Sequence, residues 1–104
     1  MSTKILIIPQ TAEATSDSFS VNFNHLGFIT ADNLATTETV TIQIYCPASQ
    51  TWVNYRANDT LFQLTTKTNG LDIYLSAGTY RVVKSATAAA VGVALQTSLM
   101  NVEV

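Results

Sequence analysis

Val40-Thr41-Ile42-Gln43-Ile44-Tyr45 alternates apolar and polar side chains without a break. Successive side chains of an extended chain point to opposite faces, so a period of two marks a strand with one buried side. Val40, Ile42 and Ile44 are expected to face a core, with Thr41, Gln43 and Tyr45 facing away. Pro47-Ala48-Ser49-Gln50 then reads as a turn, and Trp52 to Tyr55 as the strand returning antiparallel.

The same period extends in both directions. Downstream, Phe62 and Leu64 fall on one inner face. Thr68-Asn69-Gly70 reads as a turn, with Asn-Gly suited to positive φ. Leu71, Ile73 and Leu75 alternate with Asp72 and Tyr74, and Ser76-Ala77-Gly78 makes the next reversal. Thr79 to Lys84 places Tyr80 and Val82 on one face and Arg81 and Val83 on the other. After the small-residue stretch Ala86 to Ala90, Val91, Val93 and Leu95 alternate across Gly92 and Ala94. Upstream, Thr30 to Thr37 reads as a connection around Asp32-Asn33. Phe19, Val21 and Phe23 form a half-buried strand, and Leu26 to Ile29 continues the extended chain. Thr11 to Asp17 is a polar loop. The continuous run Ile5-Leu6-Ile7-Ile8 reads as a strand buried on both faces or covered by a neighbouring subunit. No segment holds a 3.6-residue apolar period.

About eight short strands at roughly ten-residue spacing point to an all-β fold, a single antiparallel β-sandwich or small barrel-like domain. The abundance of Thr, Val, Ile, Tyr and Phe suits pleated surfaces. One domain over residues 1–104 is expected, with candidate contact arms at 1–17 and 98–104.

Composition narrows function mainly by exclusion. The 104 residues are 47% hydrophobic and 12% charged, with a formal net charge of -2. A disordered chain shows the opposite balance. Five scattered Lys and Arg residues make a poor footprint for nucleic acid, so no nucleic-acid partner is expected. The longest apolar run is far short of the roughly 20 residues of a membrane span. Lys4 precedes four strongly apolar residues and then Pro9, which is no secretory signal, so synthesis in a cytoplasm is expected.

Chemistry-bearing residues are few. There is one His, one Cys and one Trp. His25 has no orienting carboxylate or nucleophile at recognisable spacing, and a lone His at a strand end is more often a surface residue. Cys46 lacks an adjacent cation or helix N-terminus and reads as a small hydrophobe. The carboxylates Glu13, Asp17, Asp32, Glu38, Asp59, Asp72 and Glu103 are dispersed, with no metal-loop pattern. Asp59 and Asp72 are the pair a hairpin could bring together. Asn58-Asp59-Thr60 matches the glycosylation pattern by chance. The reading is therefore no enzyme, no catalytic residue, no metal and no cofactor.

Contact surfaces are the better candidates. Tyr45 and Tyr74 fall on the outward phase, and outward aromatics on a sheet serve protein interfaces and carbohydrate platforms. Arg81 reads as a solvated or interface residue. Charged edge residues that prevent strand pairing are scarce. The run Ile5, Leu6, Ile7, Ile8 and the tail Leu99, Met100, Val102 are the extensions suited to gripping a neighbour.

Three segments carry a family likeness: Glu38-Thr-Val-Thr-Ile-Gln-Ile-Tyr45, Thr51-Trp-Val-Asn-Tyr55 and Ala77-Gly-Thr-Tyr-Arg-Val-Val-Lys84, followed by the Ala/Gly/Val-rich Ala88 to Leu95. Together they resemble small β-rich virion proteins of tailed bacteriophages. The likeness spans about Glu38 to Thr97 and leaves out Met1 to Thr37. It implies a capsid decoration, or cement, protein on the outer head surface of the virion, non-enzymatic and without cofactors. The implied partners are the major capsid protein and further copies of the chain, as dimers or trimers. A tail, neck or fibre-attachment component of the virion is the neighbouring alternative. A carbohydrate-binding β module using Trp52 and the tyrosines is the alternative of another class.

Overall fold

The alternating segments become strands of two antiparallel sheets in the computed structural model, which describes residues 2–21, 25–57, 60–97 and 102–103. In chain order the first six strands are β1 (Ser2–Gln10), β2 (Ala14–Thr15), β3 (Phe19–Val21), β4 (His25–Ala31), β5 (Val40–Cys46) and β6 (Thr51–Asn54). They are followed by β7 (Arg56–Ala57), β8 (Thr60–Leu61), β9 (Gln63–Leu64), β10 (Gly70–Leu75), β11 (Gly78–Lys84), β12 (Val91–Thr97) and β13 (Val102–Glu103). No helix occurs among the described residues. The fold is all-β, as the period-two pattern requires.

The smaller sheet runs β1-β12-β4-β10. The larger runs β13-β3-β11-β5-β6, with β2 also on β11 and β9 also on β5, while β7 and β8 pair as a separate two-stranded ribbon. The chain passes from one sheet to the other at β1/β2, β3/β4, β4/β5, β9/β10, β10/β11, β11/β12 and β12/β13. Most pairings therefore join residues far apart in sequence. β4 lies in the sheet opposite β3, so Leu26 to Ile29 does not prolong the Phe19 strand. β5 and β6 form the expected hairpin, with Tyr45 opposite Trp52 and Gln43 opposite Asn54, around a turn at 47–50.

The inner faces meet in one core. The smaller sheet contributes Ile7, Ile29, Ala31, Ile73, Leu75, Val91, Val93 and Leu95. The larger contributes Phe19, Val21, Val40, Ile42, Leu64, Tyr80 and Val82. Each fully buried aliphatic side chain stabilises the fold by about 1.5–3 kcal/mol relative to exposure. Aromatic rings close one end: Tyr80 lies 6.0 Å from Phe19 and 5.3 Å from Tyr55, and Tyr55 lies 5.0 Å from Phe62. The buried Tyr80 hydroxyl donates to the Ser76 carbonyl at 2.7 Å. Burial, reinforced by Tyr55, pushes its ionisation above the ordinary tyrosine range.

The strand pattern of β11 holds a residue that alternation alone marks as unusual. Lys84 follows Tyr80 and Val82 on the inward phase, and it is fully covered. Its ammonium donates to the carbonyls of Ala12 at 2.7 Å and Ser85 at 3.0 Å. That ties the loop before β2 to the end of β11. Burial lowers the Lys84 pKa, partly offset by the charge of Glu38. Glu38 clamps two more loops, accepting from Ala35 N at 2.8 Å and Ala88 N at 2.9 Å. Those two hydrogen bonds hold its carboxyl below the usual carboxylate range, with Lys84 a smaller contributor.

The Asn69-Gly70 turn is a correction. The reversal lies three residues earlier, where Thr65 and Thr68 exchange backbone hydrogen bonds at 3.0 Å around Thr66-Lys67. No glycine has positive φ. Gly70 instead opens β10, and its missing side chain has a different cause: a Cβ there would lie 2.6 Å from Phe28 Cζ. Positive φ falls at Asn33, Thr37 and Gln50, in the connection and the turn expected from their polarity.

Candidate contact surfaces

Two outer sheet faces present side chains to solvent, and they differ in chemistry. On the smaller sheet, register aligns Ile5, Ala94, Thr30 and Gly70 across four strands, beside a row of Thr3, Gln96, Phe28 and Asp72. The floor is made of small residues and the walls of large ones. The result is a groove of about 490 Å³ between Phe28 on one side and Ile5 and Pro9 on the other. Gly92 admits the proline: a Cβ there would lie 3.0 Å from Pro9 Cγ. Asp32 and Asn69 lie at the lining's polar positions. Asp32 is already engaged, with Oδ1 accepting from Gly92 N at 3.2 Å.

Strand β1 explains the chemistry of this face. A regular strand would place Ile5 and Ile7 on the same side. Register shifts between Ile5 and Ile7 and again between Ile7 and Gln10 break the alternation. Such irregularities re-aim side chains at sheet edges. Ile7 thereby enters the core, while Ile5 is 54% and Ile8 69% exposed. Leu6 is half-buried against the core. The run is thus not buried on both faces. Of its four residues, Ile5 and Ile8 are available to a partner and Ile7 is not. The sequence pattern did not point to Phe28, which is 38% exposed and completes the apolar wall. Its position between Gly27 and two core residues gave no alternation to distinguish it.

On the larger sheet, Tyr45 projects outward as expected and packs at 5.2 Å against Trp52. The Arg81 guanidinium lies 4.5 Å from the Trp52 ring centroid. Arg81 Nε donates to Gln43 Oε1 at 2.8 Å, and Gln43 Nε2 donates to Asn54 Oδ1 at 3.2 Å. Arg81 is therefore fixed by cross-strand neighbours, as the register Arg81–Gln43–Asn54 allows. The expectation of an outward Thr41 holds only in phase: Thr41 is buried, covered by Gln63, whose Nε2 donates to its hydroxyl at 2.9 Å.

The remaining sequence candidates are dispersed. Tyr74 is paired through its backbone with Leu26 in β10 and β4. Val102 pairs with Val21, so part of the 98–104 segment adds a strand to the larger sheet. Leu99 and Met100 lie outside the described residues, as do Asn58 and Asp59. Ser2–Gln10 of the 1–17 segment pairs with β12 as a sheet edge. His25 begins β4, opposite Leu75. Cys46 is half-buried at the end of β5 as a free thiol. Among the described residues no three His, Cys, Asp or Glu side chains are grouped to hold a metal ion. No helix among them is long and apolar enough to cross a membrane. Comparisons with protein-family models, curated proteins and solved structures find no match to this chain.

Proposed function

We propose that this chain is a capsid decoration protein of a tailed phage, docking on the outer head surface through the outer face of its smaller sheet. The observation that carries the docking face is the exposure of Ile5 and Phe28, which line the groove, with Ile8 exposed further along β1. Among the described residues, Val53 in β6 of the larger sheet is the remaining exposed large hydrophobic, and it stands apart from the other three. The segments that carry the likeness to phage virion proteins form β5 and β11 inside the larger sheet, its edge strand β6, and β12 inside the smaller sheet. The partner is the shell-forming capsid subunit, with an apolar projection seated in the groove. Each copy bridges adjacent subunits and buries apolar area, at about 25 cal/mol per Å² removed from water, which raises the barrier to their separation. Copies contact one another on the shell as dimers or trimers.

The test is co-sedimentation of the purified protein with particles stripped of it. The double variant Ile5→Asp, Ile8→Asp places two charges where neither side chain supports the core. The expected result is loss of particle binding with an unchanged melting temperature. Binding equal to the wild type would overturn the docking face. A tail, neck or fibre-attachment role is the competing virion assignment, and copy number per particle separates the two.

A further inference from the structure

The groove face leaves the outer face of the larger sheet unused. There, we propose, Arg81, Trp52, Tyr45 and Asn54 form a binding site for a carboxylate-bearing saccharide. This inference stands apart from particle docking, since it uses the opposite side of the sandwich.

The first argument is what the hydrogen bonds leave over. Arg81 spends Nε on Gln43, and Gln43 spends its amide on Asn54 Oδ1. Among the described residues, the Arg81 Nη groups, Asn54 Nδ2 and the Tyr45 hydroxyl have no hydrogen-bonding partner. The leftover groups are mainly donors. A guanidinium with both terminal nitrogens open matches a carboxylate in a bidentate fork. The chain is acidic overall, with five Lys and Arg against seven Asp and Glu, so an open arginine held in place by two neighbours stands out from its background.

The second argument is preorganisation. A surface arginine ordinarily loses several rotors on binding. Here the side chain is already bonded through Nε and stacked on Trp52 at 4.5 Å. That arrangement lowers the ordering cost of a contact. The third argument is the aromatic pair itself. Tyr45 and Trp52 are half-buried neighbours with rings inclined by 58°. The Tyr45 ring and the Trp52 edge suit the C–H face of a sugar ring, and Asn54, opposite Gln43, suits its hydroxyls, with Thr79 and Ser20 further across the sheet. Ser20 and Thr79 lie 3.5 Å apart through their hydroxyls on this face. Charge from the arginine, a stacking surface from the aromatics and hydroxyl partners around them together select an acidic sugar over a neutral one.

Trp52 is the single tryptophan, so its fluorescence reports this site alone. Titrations use trigalacturonate and sialyllactose, their neutral counterparts (the galacturonate methyl ester and lactose), and hexaglutamate. A parallel calorimetric titration reads binding independently of Trp52. The expected result is a saturable response to at least one acidic sugar, at least about tenfold weaker for its neutral counterpart. Arg81→Gln should weaken it by about tenfold or more, and Tyr45→Ala by several-fold, with melting confirming that both variants fold. Ile5→Asp, on the far sheet, should bind as the wild type does. The proposal is overturned by no saturable response to either acidic sugar up to about 10 mM. Equal binding of neutral sugars, unaltered binding by Arg81→Gln, or tighter binding of hexaglutamate would overturn it as well.

Discussion

Replacing Lys84 by Met tests the reading of the loops at the end of the sandwich. Met keeps most of the stem volume, so little cavity is opened, but it removes the ammonium. Two hydrogen bonds go with it, to Ala12 O at 2.7 Å and Ser85 O at 3.0 Å. Hydrogen bonds to a charged group contribute about 1.5–3 kcal/mol each. Against that loss stands relief from desolvation, which costs a buried ion several kcal/mol. The exposed position of Ala12 also lets its carbonyl regain water. The net expectation is destabilisation by about 1–3 kcal/mol. In a domain of this size, that lowers Tm by roughly 5–15 °C. The sign with pH follows from the lowered Lys84 pKa. Between its folded value and the ordinary 10.5, the unfolded state binds the extra proton, so raising pH favours the folded wild type. The gap between wild type and Lys84→Met should therefore widen from neutral pH towards 10.5. Urea unfolding of both proteins across this range measures it. A variant as stable as the wild type, or a gap that narrows with rising pH, would refute the reasoning.

Four further perturbations test other parts of the molecule. Gly70→Ala forces Phe28 to swing out of the groove, because the new methyl would sit 2.6 Å from its ring. Since Phe28 is partly exposed and can rotate, the variant should lose less than about 1.5 kcal/mol, while particle binding falls sharply in co-sedimentation. Thr37 holds φ at 75°, which a β-branched residue adopts at a cost; Thr37→Gly should raise stability by about 1 kcal/mol in denaturant melts. Glu38, held ionised by the Ala35 and Ala88 amides, stabilises the fold above its ordinary value of 4.5, and that contribution disappears as pH falls through its lower folded value. Glu38→Gln should flatten this acid limb in a pH series of thermal melts. Tyr80 acts at the other extreme: its raised pKa makes stability fall as pH climbs beyond the ordinary 10.0, and Tyr80→Phe should soften that fall.

The strands that alternate cleanly were legible in the sequence. β5, β10, β11 and β12 place Val40, Ile42, Ile73, Leu75, Tyr80, Val82, Val91, Val93 and Leu95 in the core, as their period of two requires. The β5–β6 turn was equally plain from Pro47 to Gln50. Legibility failed where local pattern and tertiary contact diverge. The register shifts in β1 separate Ile5 from Ile7, and an unbroken apolar run contains no sign of which residue will bulge. Asn69-Gly70 carried strong turn chemistry, yet Gly70 is explained by the Phe28 ring of the neighbouring strand β4, distant in sequence. The inward Lys84 was implied by the Tyr80–Val82 phase, but its acceptors, in the 11–13 loop and at Ser85, appear only once the chain is folded. The outward Tyr45 was readable by parity. The stacking of Arg81 on Trp52 was not, because it crosses from β11 over β5 to β6.

Protein stoichiometry in purified particles tests the central claim most directly, by quantitative mass spectrometry against the major capsid protein. The account predicts copies on the same scale as the shell subunit, as expected of a protein that binds every local junction. A few copies, or a number matching tail symmetry, would contradict decoration and place the chain in the tail or neck. Absence from the particles would contradict a virion role altogether.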